Sequence, residues 1–235
     1  MNNRYEDHYI ETTASFKNDE WIINGTKSFV MNGDNANKII VSARINGEVN
    51  DKKGIGLFLV NNDQTLKRSY NTIDGYRATE LTYENSKCEL LAKDDEALKC
   101  IVKANSAGAL ALSAEALGIM QICFDLTLDY LKTRKQFGKS IGAFQSIQHR
   151  MVDMMLEIEQ VKSVVMLASS TFETDDLTRD KNISAAKNLV GRVGKLIAEE
   201  TIQLHGGIAM TWEYSAAVSY THLRAHETEA DLVCR

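Results

Sequence analysis

Residues 97–136 read ALKCIVKANSAGALALSAEALGIMQICFDLTLDYLKTRKQ, and their hydrophobic positions recur three and four residues apart. This period is typical of an α-helix with one apolar face. A helix of about 40 residues is longer than most helices of globular proteins, which usually have about 8–20. The stretch therefore predicts one member of a helical bundle.

The chain after this helix repeats the helical pattern twice. GKSIG at residues 138–142 interrupts the pattern, and a second helix is predicted from about residue 143 to 172. We interpret the polar segment TDDLTRDKN at residues 174–182 as a loop, followed by a third helix over about residues 183–205 that ends at Gly206 and Gly207. Three long helices with short connections predict an up-and-down antiparallel bundle at residues 91–214.

The chain before residue 90 has a different character. Short β-type runs, EWII, TKSFVM, KIIVSAR and GIGLFLV, are separated by the pairs Asn24–Gly25, Asn32–Gly33 and Asn46–Gly47. Both residues of an Asn-Gly pair tolerate positive φ, so each pair predicts a hairpin turn. We expect residues 1–90 to form an antiparallel β-sandwich or barrel domain, and the whole chain to be of the α+β class. The last stretch, residues 215–235, has neither an amphipathic period nor a cap, and we interpret it as a non-native tail.

Composition excludes several classes of function. The 235 residues carry 27 Lys plus Arg against 32 Asp plus Glu, a net charge of -5, which disfavours nucleic acid and anionic membrane as partners. No uninterrupted apolar run reaches the about 18 residues of a membrane span, and the N-terminus does not have the pattern of a signal peptide, so we expect a cytoplasmic protein. The four cysteines are far apart, which predicts reduced thiols and no metal site.

Three stretches together resemble the acyl-CoA dehydrogenase family of flavoproteins. They are NGTKSFVMNGDNANKIIVSAR, ALGIMQICFDLTLDYLKTRKQFGKSIGAFQSIQHRMVDM and IQLHGGIAMTWEY. Their order and separation are similar to those in the family's middle β-domain and C-terminal helical bundle. The family's fold also begins with an all-helical domain, so the resemblance implies a chain that is truncated at both ends.

The second stretch contains a cluster of cations around a Phe-Gly pair. In the family, an Arg-x-Gln-Phe-Gly turn reaches from one subunit into the cofactor site of its neighbour, where the Arg meets the FAD pyrophosphate. The resemblance assigns Arg134, Gln136 and Phe137 to FAD, and a guanidinium suits phosphate oxygens chemically. The alternative is that these cations simply compensate the negative end of a helix dipole.

The third stretch is similar to the family's Gln-x-x-Gly-Gly segment, which contacts the ADP part of FAD. The resemblance assigns Gln203, Gly206 and Gly207 to the cofactor. Two adjacent glycines leave their backbone amides accessible to a phosphate or a ribose. A helix C-cap is the alternative, and both roles are compatible. His205 has no nucleophile or orienting acid nearby in the sequence, so we assign it no catalytic role.

The first stretch has one position that departs from the family pattern. In SFVMN, the resemblance places Phe29 against the flavin ring, with a core strand residue as the alternative. Met31 stands where the family has a hydroxyl residue that can hydrogen-bond flavin N5. A thioether is a weak acceptor and cannot donate, so the flavin is expected to be held or tuned differently here.

Dehydrogenation of an acyl-CoA needs a carboxylate base, and the matching positions do not supply one. Most family members carry the base beyond the matched region, and others carry it on the first bundle helix, where this chain has Gly108 and Ala109. Glu115 lies about two helical turns further along, too far for a convincing substitute. We therefore assign no catalytic residue.

The resemblance predicts a fragment of an FAD-dependent acyl-CoA dehydrogenase, which converts an acyl-CoA to the trans-2-enoyl-CoA and passes electrons to an electron-transfer flavoprotein. It implies a dimer or tetramer of like or paired unlike subunits. Two alternatives stay open: a non-catalytic, FAD-holding partner subunit of a heteromeric enzyme, and a related flavin monooxygenase. We expect the 235-residue chain to be inactive alone.

Overall fold

The structure is a computed structural model that describes residues 6–72 and 75–210. The chain divides into two compact units, Met1–Ala104 and Asn105–Arg235, which are described separately below. The predicted non-native tail, residues 215–235, lies outside the described residues.

The first unit contains a six-stranded sheet. Its strands are β1 (Thr13–Lys17), β2 (Glu20–Met31), β3 (Lys38–Arg44), β4 (Ile55–Asn61), β5 (Leu66–Asn71) and β6 (Arg77–Lys93). The strand order is β2-β1-β3-β4-β6-β5, and an additional pairing of β2 with β6 closes the sheet into a barrel. All pairings are antiparallel except a short parallel contact between β1 and β3 at Thr13 and Arg44. The predicted α+β class with an antiparallel β-domain is confirmed.

The interior of the barrel is apolar. Alternate residues of the central strands point inward, and Ile23, Phe58, Val60, Leu81 and Tyr83 are almost completely buried. This alternation is the period-two pattern that the sequence shows in GIGLFLV.

Arg44, the last residue of β3, binds the backbone of two neighbouring segments. Its side chain is buried, and its two terminal nitrogens donate hydrogen bonds of 2.7 Å to four backbone carbonyls, those of His8, Val49, Asp51 and Lys53. A guanidinium offers five N–H donors in a fixed plane, so it can satisfy several loop carbonyls at once. Arg44 therefore holds the loop between β3 and β4 against the N-terminal segment.

The prediction of a hairpin at Asn24–Gly25 is wrong. The pair lies inside the continuous strand β2, where Asn24 faces Thr13 of β1 and Gly25 faces Tyr83 of β6. Gly25 has φ 133°, and an added Cβ would lie 2.9 Å from the Cα of Thr12. Glycine is used here for a bulge and a close backbone approach.

The true β1–β2 hairpin turn is formed by Asn18 and Asp19, with φ of 49° and 62°. Asn32–Gly33 is also not a hairpin turn, because β2 pairs with β1 and β6 whereas β3 pairs with β1 and β4. Asn46–Gly47 does lie between the antiparallel strands β3 and β4, but the connection runs over residues 45–54 and, of the pair, only Gly47 has a positive φ, so the pair is not the predicted tight turn.

The helical part contains three long helices. They are α1 (Asp94–Thr133), α2 (Gln145–Ser170) and α3 (Asp176–His205), and α1 begins in the first unit and continues into the second. The short strands β7 (Lys135–Gln136) and β8 (Lys139–Ser140) separate α1 from α2, together with a 3₁₀ turn at Ile141–Ala143. A second 3₁₀ turn, Gly206–Met210, follows α3.

The second unit is an up-down-up bundle, as predicted. Arg150 pairs with Glu200 at 2.6 Å and Arg192 with Glu157 at 2.8 Å, so α2 and α3 run antiparallel. Ser106, more than three turns into α1, donates to Asp180 near the start of α3 at 2.9 Å. The bundle core is apolar and contains Met120, Cys123, Met154, Val161, Val193 and Ile197.

The third helix starts earlier than the sequence predicts. The segment expected to be a loop is mostly helical, because α3 begins at Asp176. The side chain of Asp175 accepts a hydrogen bond of 3.0 Å from the backbone N–H of Thr178 and so caps the helix. A polar N-terminal turn is common in helices, and its composition resembles that of a loop.

Among the described residues, α1 is long and apolar enough to cross a membrane by length and composition alone. A bundle helix passes the same test. Residues of its second half, Ala116, Met120, Cys123 and Leu131, are buried in the bundle core.

Candidate functional site

The end of α1 leads directly into a short exposed hairpin. The hydroxyl of Thr133 donates to the backbone carbonyl of Asp129 at 2.9 Å and completes the last turn of the helix. Lys135 then pairs with Ser140, and Gln136 pairs with Lys139. We call residues 134–140 the cationic hairpin.

The tip of the cationic hairpin is a two-residue turn. Phe137 has φ 54° and Gly138 has φ 81°, the left-handed conformations that a tight hairpin turn requires. The ring of Phe137 is 91% exposed, which is unusual for a large apolar side chain. The turn therefore presents an aromatic ring to the surroundings of the chain.

Three cations of the hairpin region are exposed to solvent: Arg134, Lys135 and Lys139. Within the described residues Arg134 makes no ion pair. An exposed guanidinium without a carboxylate is available to an external anion. The simpler role, compensation of the helix dipole of α1, is also compatible with its position just after Thr133.

Phe144 packs against two residues of the cationic hairpin. Its ring meets Phe137 edge-on, with ring centroids 6.2 Å apart and an interplanar angle of 86°. The ammonium of Lys139 lies 4.2 Å from the centroid of the Phe144 ring, in a cation–π contact. Phe144 carries no recognisable sequence signal, because its role depends on these contacts with the hairpin.

A cavity of about 330 Å³ lies at the base of the hairpin. Its walls come from the last turns of α1, the 3₁₀ turn and the first turns of α2, and they are mostly apolar, with Leu128, Leu131, Ile147 and Met151. Lys132 and Gln148 add polar groups to the lining. The cavity can accept an apolar ring or side chain next to the exposed cations.

The C-terminal end of α3 carries the second set of residues predicted to contact FAD, which are Gln203, Gly206 and Gly207. Gly206 has φ 67°, and its N–H donates to the carbonyl of Ile202, so it is the helix C-cap. Gln203, Gly206 and Gly207 are exposed, and an added Cβ at either glycine would meet no atom within 4 Å. The backbone at the two glycines is therefore sterically accessible, although the N–H of Gly206 is already used by the cap.

His205 connects the two sets of residues predicted to contact FAD, the cationic hairpin after α1 and the glycines after α3. Its buried imidazole stacks on the ring of Tyr130, with centroids 4.6 Å apart and an interplanar angle of 29°, and its Nδ1 lies 2.8 Å from the carbonyl oxygen of Thr201. Tyr130 precedes Arg134 by one helical turn, and His205 precedes Gly206 directly. The structure thus brings both groups to the same end of the bundle. Sequence reasoning missed this role of Tyr130 and His205.

Phe29 lies in the first unit, on a bulge of β2. Lys27 faces Leu81 of β6 and Val30 faces Thr79, so two residues of β2 stand opposite one residue of β6. Phe29 has φ 57°. Its side chain is 52% exposed and that of Met31 is 45% exposed, whereas Val30 packs against the barrel core. The alternative that Phe29 is a core residue does not fit this exposure.

Lys27 sits directly before the bulge. Its ammonium donates to the hydroxyl of Ser42 at 3.2 Å. Burial lowers the pKa of Lys27 to about 8, and the negative charge of Glu11 partly offsets that effect. The amine is thus a partly buried group close to the bulge.

Comparison with protein families identifies both halves of the chain. Residues 6–86 match the acyl-CoA dehydrogenase middle domain, and residues 98–230 match the acyl-CoA dehydrogenase C-terminal domain. The chain belongs to the acyl-CoA dehydrogenase family. The bundle helix α1 is part of the matched C-terminal domain, which accounts for its apolar length.

Individual relatives agree with the family. The short/branched chain specific acyl-CoA dehydrogenase of Rattus norvegicus is 30% identical over 214 residues, which cover 87% of this chain and 49% of the relative. The crystal structure of an acyl-CoA dehydrogenase from Geobacillus kaustophilus has a TM-score of 0.85 at 25% identity, with 96% of this chain and 63% of that chain covered. Butyryl-CoA dehydrogenase from Megasphaera elsdenii shares the fold with a TM-score of 0.87 at 23% identity, covering 99% of this chain and 64% of that one. The chain spans about half the length of the curated relatives it matches.

Members of this family carry a flavin cofactor, FAD. The residues of this chain fit the chemistry of that group, because the bundle offers an exposed guanidinium with no ion pair among the described residues and two glycines without steric obstruction, and the barrel offers an exposed aromatic ring. The individual assignments of Phe29, Arg134, Gln136, Phe137, Gln203, Gly206 and Gly207 to FAD stay predictions.

Proposed function

We propose that this chain is the middle and C-terminal part of an FAD-dependent acyl-CoA dehydrogenase. The reaction is the α,β-dehydrogenation of an acyl-CoA thioester to the trans-2-enoyl-CoA, in the cytoplasm. Electrons leave to an electron-transfer flavoprotein. When bound, FAD supplies the hydride acceptor for this chemistry.

The observation that carries the proposal is the arrangement at one end of the bundle. Arg134 follows Tyr130 by one helical turn and Gly206 follows His205 directly, so both lie at the end of the bundle where Tyr130 stacks on His205. An exposed arginine at the same end of the bundle as two exposed glycines is suited to a pyrophosphate, because a guanidinium donates charge-assisted hydrogen bonds to anionic oxygens and the glycines have no Cβ to obstruct its approach.

Each residue of this end has a role in the proposal. Arg134 binds the pyrophosphate through charge-assisted hydrogen bonds, and Gln203 orients the ribose. The amides of Gly206 and Gly207 accept close approach because no Cβ blocks them. Phe137, held by Phe144, covers an apolar face of the cofactor, with Gln136 beside it.

The barrel carries the predicted contacts to the flavin ring. Phe29 lies against the flavin ring, and Met31 next to it supplies a polarizable contact without a donor to N5. In the proposal, the bundle end of one subunit reaches the FAD of another, so the enzyme is a dimer or a tetramer of like or paired unlike subunits.

A non-catalytic, FAD-holding partner subunit is the second candidate, and the surface of α1 favours it. Where some family members have a catalytic carboxylate, this chain has Gly108, an exposed position with no atom within 4 Å of an added Cβ. Such a subunit would hold FAD with Arg134, and a different subunit would supply the base.

Reduction of bound flavin under anaerobic conditions tests the proposal. The full-length product of the parent gene is loaded with FAD and titrated with a series of acyl-CoA thioesters, and the absorbance of the oxidised flavin is followed. The catalytic reading predicts bleaching with formation of enoyl-CoA. The 235-residue chain under the same conditions is expected to show none.

The other outcomes separate the alternatives. A full-length product that binds FAD but is bleached by acyl-CoA only after addition of a second subunit supports the partner-subunit candidate. Bleaching by acyl-CoA without oxygen also excludes a flavin monooxygenase. A full-length product that binds no FAD contradicts the proposal.

A further inference from the structure

The loop that follows the Phe29 bulge folds back on the bulge itself. Asn32 has φ 54°, and its N–H donates to the carbonyl of Arg77 on β6 at 2.9 Å. The N–H of Gly33 donates to the carbonyl of Val30 at 3.2 Å. The conformation of residues 32–37, here called the bulge loop, is thus tied to the conformation of residues 29–31.

A buried asparagine from another strand connection holds this loop. Asn62 follows β4 and is 2% exposed. Its Nδ2 donates to the carbonyl of Gly33 at 2.6 Å and to the carbonyl of Ala36 at 2.7 Å. Its backbone N–H donates to the carbonyl of Asn37 at 3.0 Å. One residue therefore fixes the beginning and the end of the bulge loop.

The orientation of the Asn62 amide is set by Thr65. The hydroxyl of Thr65 lies 2.8 Å from Oδ1 of Asn62 and 2.9 Å from its carbonyl oxygen, and it donates toward both. Because Oδ1 accepts from Thr65, Nδ2 is the end that faces the two loop carbonyls. Both amide hydrogens of Asn62 are then used within the protein, so its role is to hold the backbone and not to bind a ligand.

An ion pair also holds the bulge loop. The carboxylate of Asp34 pairs with the guanidinium of Arg77 at 2.9 Å. This pair ties Asp34 to the start of β6, whereas Asn62 ties Gly33 and Ala36 to the end of β4. With both ties in place, the strand segment that presents Phe29 and Met31 has little freedom to rotate.

We propose that Asn62 is a positioning residue for the flavin site, which holds the bulge of β2 so that Phe29 and Met31 present their side chains to the flavin ring. The inference rests on the proposed function. It predicts that loss of the two Nδ2 hydrogen bonds disturbs the bulge even in the absence of FAD.

The test compares two substitutions in the 235-residue chain. Asn62→Asp keeps the shape of the side chain, but a carboxylate cannot donate to the two carbonyls. Thr65→Val is the matched control, because it removes a hydrogen bond of the same buried network. Both Nδ2 bonds are expected to remain, since a flipped amide would place Oδ1 against the two carbonyl oxygens of the loop. A role limited to the stability of the strand connection would affect both variants alike.

The first readout does not need the cofactor. Methionine methyl groups are labelled with ¹³C, and the Met31 signal is assigned with Met31→Leu. We expect Asn62→Asp to shift or broaden the Met31 signal and Thr65→Val to leave it in place. An unchanged Met31 signal in folded Asn62→Asp, or equal changes in both variants, overturns the inference.

The second readout is a titration with FAD. We expect Asn62→Asp to raise the dissociation constant at least tenfold and Thr65→Val to change it less than twofold. Wild-type affinity in Asn62→Asp overturns the inference. Failure of the wild-type chain to bind FAD counts against the proposed function, while the Met31 signal still decides whether Asn62 holds the bulge.

Asn62→Ser replaces Asn62→Asp if the latter does not fold. Its hydroxyl can reach one carbonyl at most, so it removes at least one of the two bonds. A Met31 signal and an FAD affinity that match those of Thr65→Val would overturn the inference for this variant too.

Discussion

The rings of Tyr130 and His205 stack with their centroids 4.6 Å apart, and this contact joins the ends of α1 and α3. Aromatic pairs contribute about 0.5–1.5 kcal/mol beyond the area they bury. A double-mutant cycle with Tyr130→Leu and His205→Leu is expected to give a coupling free energy of about that size. The free energy of unfolding by urea is the measurement. Strictly additive effects of the two substitutions would contradict the stacking.

Phe144→Ala tests the support of the hairpin tip. The substitution removes the edge-on contact with Phe137 and the cation–π contact with Lys139. We expect the dissociation constant for FAD to rise by about threefold to tenfold, since about 1 kcal/mol of positioning is lost. Phe16→Ala is the control, because Phe16 is also exposed and belongs to an aromatic pair, with Trp21. Equal effects of the two substitutions on FAD binding would refute the role of Phe144.

Tyr83→Phe is expected to stabilise the barrel. Tyr83 is 1% exposed, and within the described residues its hydroxyl has no hydrogen-bond partner. Burial raises the pKa of Tyr83 to about 12, which reflects the same apolar surroundings. Removal of an unsatisfied buried hydroxyl is expected to raise the free energy of unfolding by about 1 kcal/mol. Tyr70→Phe, at an exposed position on β5, is expected to change it by less than about 0.5 kcal/mol. A destabilised Tyr83→Phe would show that the hydroxyl does have a partner.

The lowered pKa of Lys27 predicts that the free energy of unfolding depends on pH. This pKa is lowered from 10.5 to about 8 by burial, so above pH 8 the folded chain releases a proton that the unfolded chain still binds. Stability therefore rises with pH in this window, by at most about 1.4 kcal/mol per pH unit. Above pH 9 the partly buried thiol of Cys88, with its pKa raised to about 11, acts in the opposite direction.

The stabilities of the wild-type chain and the Lys27→Met variant are best compared between pH 8 and pH 9. Relative to Lys27→Met, the wild-type chain should gain about 1 kcal/mol in the free energy of unfolding across this interval. Chemical denaturation at closely spaced pH values measures the difference. Parallel stability curves for the two chains would mean that the pKa of Lys27 is not lowered by folding.

The helical half of the fold was predictable because the period of its apolar residues is long and regular. Residues such as Met120, Val161 and Val193 recur at helical spacing and are the ones that fill the bundle core. The start of α3 was missed because the cap at Asp175 and the polar first turn resemble a loop in composition.

The barrel was predictable in class but not in connectivity. An Asn-Gly pair suits a hairpin turn and also suits a bulge with positive φ, and local sequence does not distinguish the two at Asn24–Gly25. The choice depends on the pairing of β2 with β6, whose paired residues are far apart in the chain.

The residues of the candidate site were likewise predictable one segment at a time, but their arrangement in space was not. The motifs around Arg134 and Gly206 were recognisable as separate segments. Their meeting at one end of the bundle depends on the contact of Tyr130 with His205, and the bulge depends on Asn62. These are tertiary contacts between residues with no shared sequence pattern.

The most direct test of the account is an equilibrium titration of the 235-residue chain with FAD, followed by the quenching of flavin fluorescence. Arg134→Ala is compared with Arg68→Ala, which removes an exposed cation of β5 that has no assigned role. The account predicts that wild-type and Arg68→Ala chains bind FAD alike and that Arg134→Ala binds at least tenfold more weakly, since charge-assisted hydrogen bonds contribute about 1.5–3 kcal/mol. Equal binding by all three chains, or none by the wild type, would contradict it.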